Sequence, residues 1–280
     1  MKRIVITADD YGMSKGVNDA IDEGIAVGLI TSTNVMTNMD FYRDAIKLRK
    51  TSASIGIHWT LSAGRPVCAP KEIPTLVDSN GMFFSYAEFR KRYRRRQISD
   101  KDIERELRAQ YLRFVEVCGE PDYWNTHQNV HVDFRIFKLF VKIASELHIP
   151  KMRSHQRVYI PSSDGRSSLS WKWRLLEPIK RCILRKWMKY ARRYKMKSPH
   201  ALTVAMKNED LKDIRYCFSN LSVDSDQIVE HVIHPSTALD SPYFGSIGAT
   251  RIREYEQFTS ELHRTFLEEI GFEVVSFERV

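Results

Sequence analysis

The chain is poor in cysteine and has no long apolar run. Its four cysteines, Cys68, Cys118, Cys182 and Cys217, are scattered over 280 residues and form no CxxC pair. That excludes a disulfide-stapled miniature fold and a cysteine-based zinc module, and it makes a reducing cytoplasm the expected compartment. No stretch approaches the ~20 apolar residues of a membrane-spanning helix. The opening MKRIVITADD turns acidic before any apolar leader develops, so no secretory signal is expected. Internal repeats and low-complexity tracts are also lacking. With 42% hydrophobic and 11% aromatic residues, the composition is that of a globular chain and not of a disordered, collagen-like or coiled-coil one. The length suits one large domain with a sizeable core, taken here as residues 1–280.

The formal net charge is +9, which invites a nucleic-acid reading. Its distribution argues otherwise. Residues 90–96 (RKRYRRR) hold six basic side chains and no acid, and residues 172–197 hold eleven with Glu177 as the one acid. These two stretches carry more than the whole surplus, and the rest of the chain sums to −7. A nucleic-acid partner is therefore not expected.

Short apolar runs alternate with amphipathic stretches. Strands are expected at residues 3–7, 32–37, 55–61, 123–126, 151–154, 201–205, 227–233 and 273–277. Helices are expected between most of them: from Ser14 as cap to Gly28 as stop, from Asp40 to about 50, from Ser85 with Glu88 as a capping box, from Ser99 to about 117, from about 134 to 148, and from about 250 to 270. Pro178 should start, kink or break a helix in the second basic stretch. Eight strand–helix units predict a parallel sheet closed into a TIM-like (β/α) barrel, regular or distorted, with a basic helical insertion at about 160–198.

In such barrels the chemistry sits where strands end. The first strand ends in Ala8-Asp9-Asp10-Tyr11-Gly12, the third carries His58, the fourth runs into Thr126-His127-Gln128-Asn129-Val130-His131, the fifth carries Arg153, and the seventh ends in His234-Pro235. Four of the nine histidines and one acidic pair thus fall on one rim. Adjacent carboxylates resist joint ionisation unless a cation or hydrogen bonds hold them. A metal on one Asp would leave the other free to accept protons. Each residue also has a plainer reading: a helix cap for the Asp pair, a core imidazole for His58, a strand-end turn for His234, an ion-pair partner for Arg153. One Asp and two His would suit zinc or another transition metal, with positions left for water and substrate.

These same elements, in this order and spacing, resemble the YdjC-like carbohydrate deacetylase family, which includes chitooligosaccharide deacetylases. The resemblance runs from the first strand to beyond His234. It implies a TIM-like barrel and a divalent metal, Mg²⁺, on Asp10, His58 and His127. It implies removal of an N-acetyl group from an amino sugar or acetylated oligosaccharide by attack of a metal-bound water on the amide carbonyl. Asp9 matches the base; Arg153 is expected to orient it, and His234 to serve as acid with His131 as the alternative. Asn129, His131, Trp59 and Tyr11 are expected at the substrate. The resemblance also suggests a homodimer. Two departures stand out: Asn129 replaces a central histidine of the family element, and the basic residues 171–197 lie outside the family pattern. That segment reads as a peripheral helix, as a membrane-surface or anionic-polymer contact, or as a lid. Rival functions are another metal-dependent barrel hydrolase, for phosphoesters or other amides, and a basic binding protein for anionic polymers or membrane.

Overall fold

A computed structural model describes residues 1–131, 133–160, 171–205 and 214–280, apart from the side chains of 171–175, 204, 205, 214, 216 and 217. Its strands are β1 (Lys2–Tyr11), β2 (Ser32–Val35), β3 (Ser54–Trp59), β4 (Tyr123–Thr126), β5 (Arg157–Ile160), β6 (Ala201–Ala205), β7 (Ile228–Ile233) and β8 (Phe272–Val274). Its α-helices are α1 (Lys15–Val27), α2 (Tyr86–Arg94), α3 (Asp100–Cys118), α4 (Phe134–Glu146), α5 (Trp171–Arg193), α6 (Ile214–Ser219), α7 (Gly248–Phe258) and α8 (Glu261–Glu269). Every strand pairing is parallel, in the order β4-β3-β2-β1-β7-β6-β5, with β8 against the start of β1. The result is a distorted TIM-like barrel.

Side chains alternate along each strand, and here the two sets have different chemistry. Ile4, Ile6 and Ala8 face outward into the large apolar cluster with the helices, as do Ile55, Ile57 and Trp59. The inward set starts apolar at the base, where Val5, Tyr123, Ile228 and Phe277 form a separate cluster. The Tyr123 and Phe277 rings stack there with centroids 3.7 Å apart. Above that plug the inward set turns polar: Ser32, Asn34, Glu230, Asn125, Asp9 and His58 are all buried. Gly56 belongs to this narrow layer, because a Cβ there would collide with Asn34 Oδ1 and the Tyr123 ring.

Three expectations change. The fifth strand ladder lies at Arg157–Ile160, not at residues 151–154. The earlier stretch makes only single bridges, Trp124 to Met152 and Lys151 to Lys197, and spans the gap between β4 and the later strands. The helix expected at about 250–270 is two helices, α7 and α8, parted at Thr259 and Ser260. The segment expected as a helix from Asp40 is a 3-10 helix, Tyr42–Lys50. Ser14 Oγ accepts from the Val17 N–H, Gly28 closes α1 at φ 77, and Ser85 Oγ accepts from the Glu88 N–H; Asp40 makes no cap, since Phe41 holds that position, and the Glu88 carboxylate turns to Lys91 and Arg92. The basic insertion is helical over α5 with Pro178 inside it. Its residues 161–170 lie outside the described residues, as do 206–213 between β6 and α6.

Candidate active site

A cleft of about 470 Å³ opens at the C-terminal ends of the strands. Asp9, Asp10, His58, His127, Arg153 and His234 all line it, together with Asn129. The two carboxylates at its floor differ in every partner.

Asp9 is caged by donors. Arg153 donates two bonds, Nη1 to Oδ2 at 2.7 Å and Nη2 to Oδ1 at 2.7 Å. Asn34 Nδ2 donates to Oδ1 at 2.6 Å, and Asn125 Nδ2 reaches the same oxygen at 3.3 Å. Burial alone would raise this carboxyl, but the charge of Arg153, and then of His58, wins and holds it well below the usual carboxylate range. Arg153 also donates from Nε to Glu230 Oε1 at 2.9 Å. One guanidinium therefore serves two fully buried carboxylates. Burial raises the Glu230 carboxyl against the pull of Arg153.

Asp10 faces imidazoles. Its Oδ1 lies 3.2 Å from His58 Nε2 and 2.9 Å from His127 Nδ1. Its Oδ2 accepts from Arg251 Nη2 at 2.5 Å. The residue has φ 75, a left-handed conformation rare for a side-chain-bearing residue and of the strained kind found at functional sites. The β1–β2 register shifts between Ala8 and Tyr11, at the same point. That bulge carries Asp9 and Asp10 to separate partners. Burial would raise Asp10 too, but His127 and Arg251 bring it well below its ordinary value.

Asp10, His58 and His127 offer one ligand atom each within 4.8 Å of one another, and all three side chains are buried. A carboxylate oxygen with two imidazole nitrogens is a donor set that divalent cations accept. His58 is oriented from behind by Asn125, whose Oδ1 lies 2.5 Å from Nδ1. Such outer partners fix ring orientation at metal centres. His127 Nε2 is buried without a hydrogen-bond partner. The residues fit a divalent metal.

His234 stands at the rim with Nε2 3.8 Å from Asp9 Oδ2. Desolvation lowers its pKa against the pull of Asp10 and Asp9, so the ring is neutral at physiological pH. Its backbone N–H donates to Glu254 Oε2 at 2.6 Å. Glu254, on α7, is itself pushed up to about 7 by burial.

Three residues expected at the substrate do not reach the cleft. Trp59 is fully buried on the outer face of β3, with Nε1 donating to the Leu107 carbonyl. Tyr11 is also fully buried and turns to Asp22. His131 is buried beside Trp124 and Phe140; its Nδ1 meets Thr126 Oγ1, and its Nε2 lies 2.9 Å from His155 Nε2. Burial and His155 push its pKa down. All three are buried, and none lines the cleft. Conversely, Arg251, Asn34, Glu230 and Glu254 were not anticipated. Glu230 carried a readable signal, a lone acid inside the apolar strand IVEHVI that must find a buried cation. Arg251 and Glu254 on α7 carried none.

The fold and this rim together define a β/α-barrel protein with a carboxylate–bis-imidazole centre. The sequence pattern of the YdjC-like protein family matches residues 3–269, and the chain belongs to that family. A carbohydrate deacetylase of Clostridium beijerinckii is 35% identical over 150 residues, 53% of this chain and 58% of that protein. One from Brevibacillus brevis is 36% identical over 152 residues, again 53% and 58%. The chain thus spans somewhat over half the length of these curated relatives. A solved structure from Enterococcus faecalis V583, described as a cellobiose-phosphate cleavage protein, superposes with a TM-score of 0.74 over 99% of this chain and 98% of its own. At 20% identity it shares the fold.

Proposed function

We propose that the protein hydrolyses the N-acetyl group of an amino sugar or acetylated oligosaccharide, with a divalent metal held by Asp10, His58 and His127. The convergence of those three buried side chains at the strand ends carries the reading, and the deacetylase relatives support it. Mg²⁺ is the ion expected from the family; two imidazoles also suit Zn²⁺ or another transition metal. Such a cation supplies polarisation of the amide carbonyl and a more acidic water beside it.

The chain's own groups do the rest. Asp9, ionised and fixed by Arg153, Asn34 and Asn125, takes the water's proton as the oxygen adds to the carbonyl carbon. His234, neutral and 3.8 Å away, receives that proton and delivers it to the departing amine nitrogen. The C–N bond breaks, and acetate and a free amino sugar leave. Arg153 is a positioning residue in this scheme. Asn129, Tyr243 and Phe244 line the cleft, and in this reading they meet the sugar. The free thiols of Cys68, Cys118 and Cys182 support a cytoplasmic setting.

The test is acetate release from N-acetylated chitooligosaccharides, read by mass spectrometry, with added cation and after chelation. Acetate should appear only with cation, and Asp10→Ala should release none. Undiminished release by Asp10→Ala overturns the assignment. A panel of phosphoesters and other amides separates deacetylation from another hydrolysis at the same centre.

A further inference from the structure

We propose that α5 and the neighbouring end of α2 form a docking surface for a lipid bilayer containing anionic lipids. Three observations meet here. Helix α5 carries nine basic residues and one acid, and Glu177 is taken up by Arg181 at 3.4 Å. Leu176, Ile179 and Ile183 recur at helical spacing, which puts them on one face, and they are 53%, 58% and 46% exposed. Finally, both basic segments pack on the start of α4: Arg135 lies over the Tyr93 ring of α2 at 4.7 Å, and Phe134 stacks on Trp187 of α5 at 5.4 Å. Helices α2 and α5, remote in sequence, thus both border the start of α4.

The anchoring half of α5 is distinct from this stripe. Trp187, Met188 and Ala191 are buried against the body, while Leu176, Ile179 and Ile183, which continue that apolar face toward the first half of the helix, are exposed. An aliphatic stripe edged by Lys and Arg is the pattern of a helix lying in a bilayer interface, with the aliphatic side chains in the acyl boundary and the cations at the headgroups. A soluble polyanion would satisfy the cations and leave the stripe in water. A second copy of the chain on this face would bring two strongly basic surfaces together, which like-charge repulsion opposes. Among the described residues no helix is long and apolar enough to cross a membrane, so the contact is peripheral.

The experiment is cosedimentation of the full chain with vesicles of phosphatidylcholine, with and without phosphatidylglycerol, alongside size-exclusion chromatography. The protein should sediment with the anionic vesicles only, and added salt should release it. Ile179→Asp/Ile183→Asp and Arg185→Glu/Lys186→Glu should each weaken partitioning by about tenfold or more, with an unchanged melting temperature showing that the fold persists. Failure of the wild-type chain to bind anionic vesicles overturns the proposal. So does full binding by the double isoleucine variant, or a wild-type dimer that this variant dissolves.

Discussion

Asp9 and Asp10 are adjacent in the chain, equally buried, and end in opposite surroundings. Asp9 receives hydrogen bonds from Arg153, Asn34 and Asn125, so its geometry and its charge are settled by protein groups alone. Asp10 is bonded by Arg251 on one oxygen and presents the other to two imidazoles. The backbone bulge between them makes the difference: without it, neighbouring residues of a strand point to opposite faces, and one carboxylate would turn into the helix layer. The contrast teaches that a carboxylate's role is set by what faces it. Fixed donors hold a carboxylate ionised at rest, and a carboxylate beside convergent imidazole nitrogens is a donor set that a divalent cation would accept.

Mutations can pull the two apart. Asp10→Ala should abolish both divalent-cation binding, measured by titration calorimetry, and acetate release. Asp9→Asn should keep cation affinity to within a few-fold while lowering turnover by about 10²–10⁴, the range for a lost general base. Equal loss of cation binding in both variants would erase the distinction. Arg153→Met should cost about 3–5 kcal/mol in denaturant unfolding, because it strands Asp9 and Glu230 as unpaired buried acids.

The pH dependence separates the cage from the helix behind it. Asp9 has a depressed folded value, so its contribution to stability is present above its unfolded pKa of about 4 and is lost as pH falls through the lower folded value. Glu254 runs the other way. Raised from 4.5 to about 7, it keeps its proton in the folded protein where the unfolded chain has lost it, so stability falls as pH rises through that window. Glu254→Gln should flatten that decline in melts taken across it. The smallest effect is expected of Tyr11→Phe: about 1 kcal/mol of stability from a lost hydrogen bond, and an unchanged KM. A large rise in KM would return Tyr11 to the substrate.

The rim was legible where a chemical residue sits at or just past the end of an apolar strand, as with Asp9, Asp10, His58, His127 and His234. Family resemblance then separated the two Asp roles, which composition and spacing left open. Alternation explains the main misplacement. His58 points into the barrel, so Trp59, next in the strand, points out toward Leu107 of α3 and Phe140 of α4, away from the cleft. Arg251 and Glu254 were illegible for a different reason. A helix that turns charged side chains inward has the same Arg and Glu spacing as one that turns them to water, and only the tertiary contact distinguishes them. Lys151–Ser154 was expected as a strand from its place after Pro150, and it makes only single bridges, from Lys151 to Lys197 and from Met152 to Trp124.

Arg153 sits on that gap-spanning segment, and its bond to Asp9 joins residues 144 apart in sequence. The guanidinium is therefore a clasp between the first stave of the barrel and the stave that closes it. Contacts so distant along the chain are costly in loop entropy and come late in assembly. Before the clasp fastens, Asp9 is held by Asn34 and Asn125 alone, both on one of its oxygens. A refolding chain should recover its sheet, seen by far-ultraviolet circular dichroism, ahead of its catalytic competence, and a partly closed barrel would have no weakened version of the activity to offer.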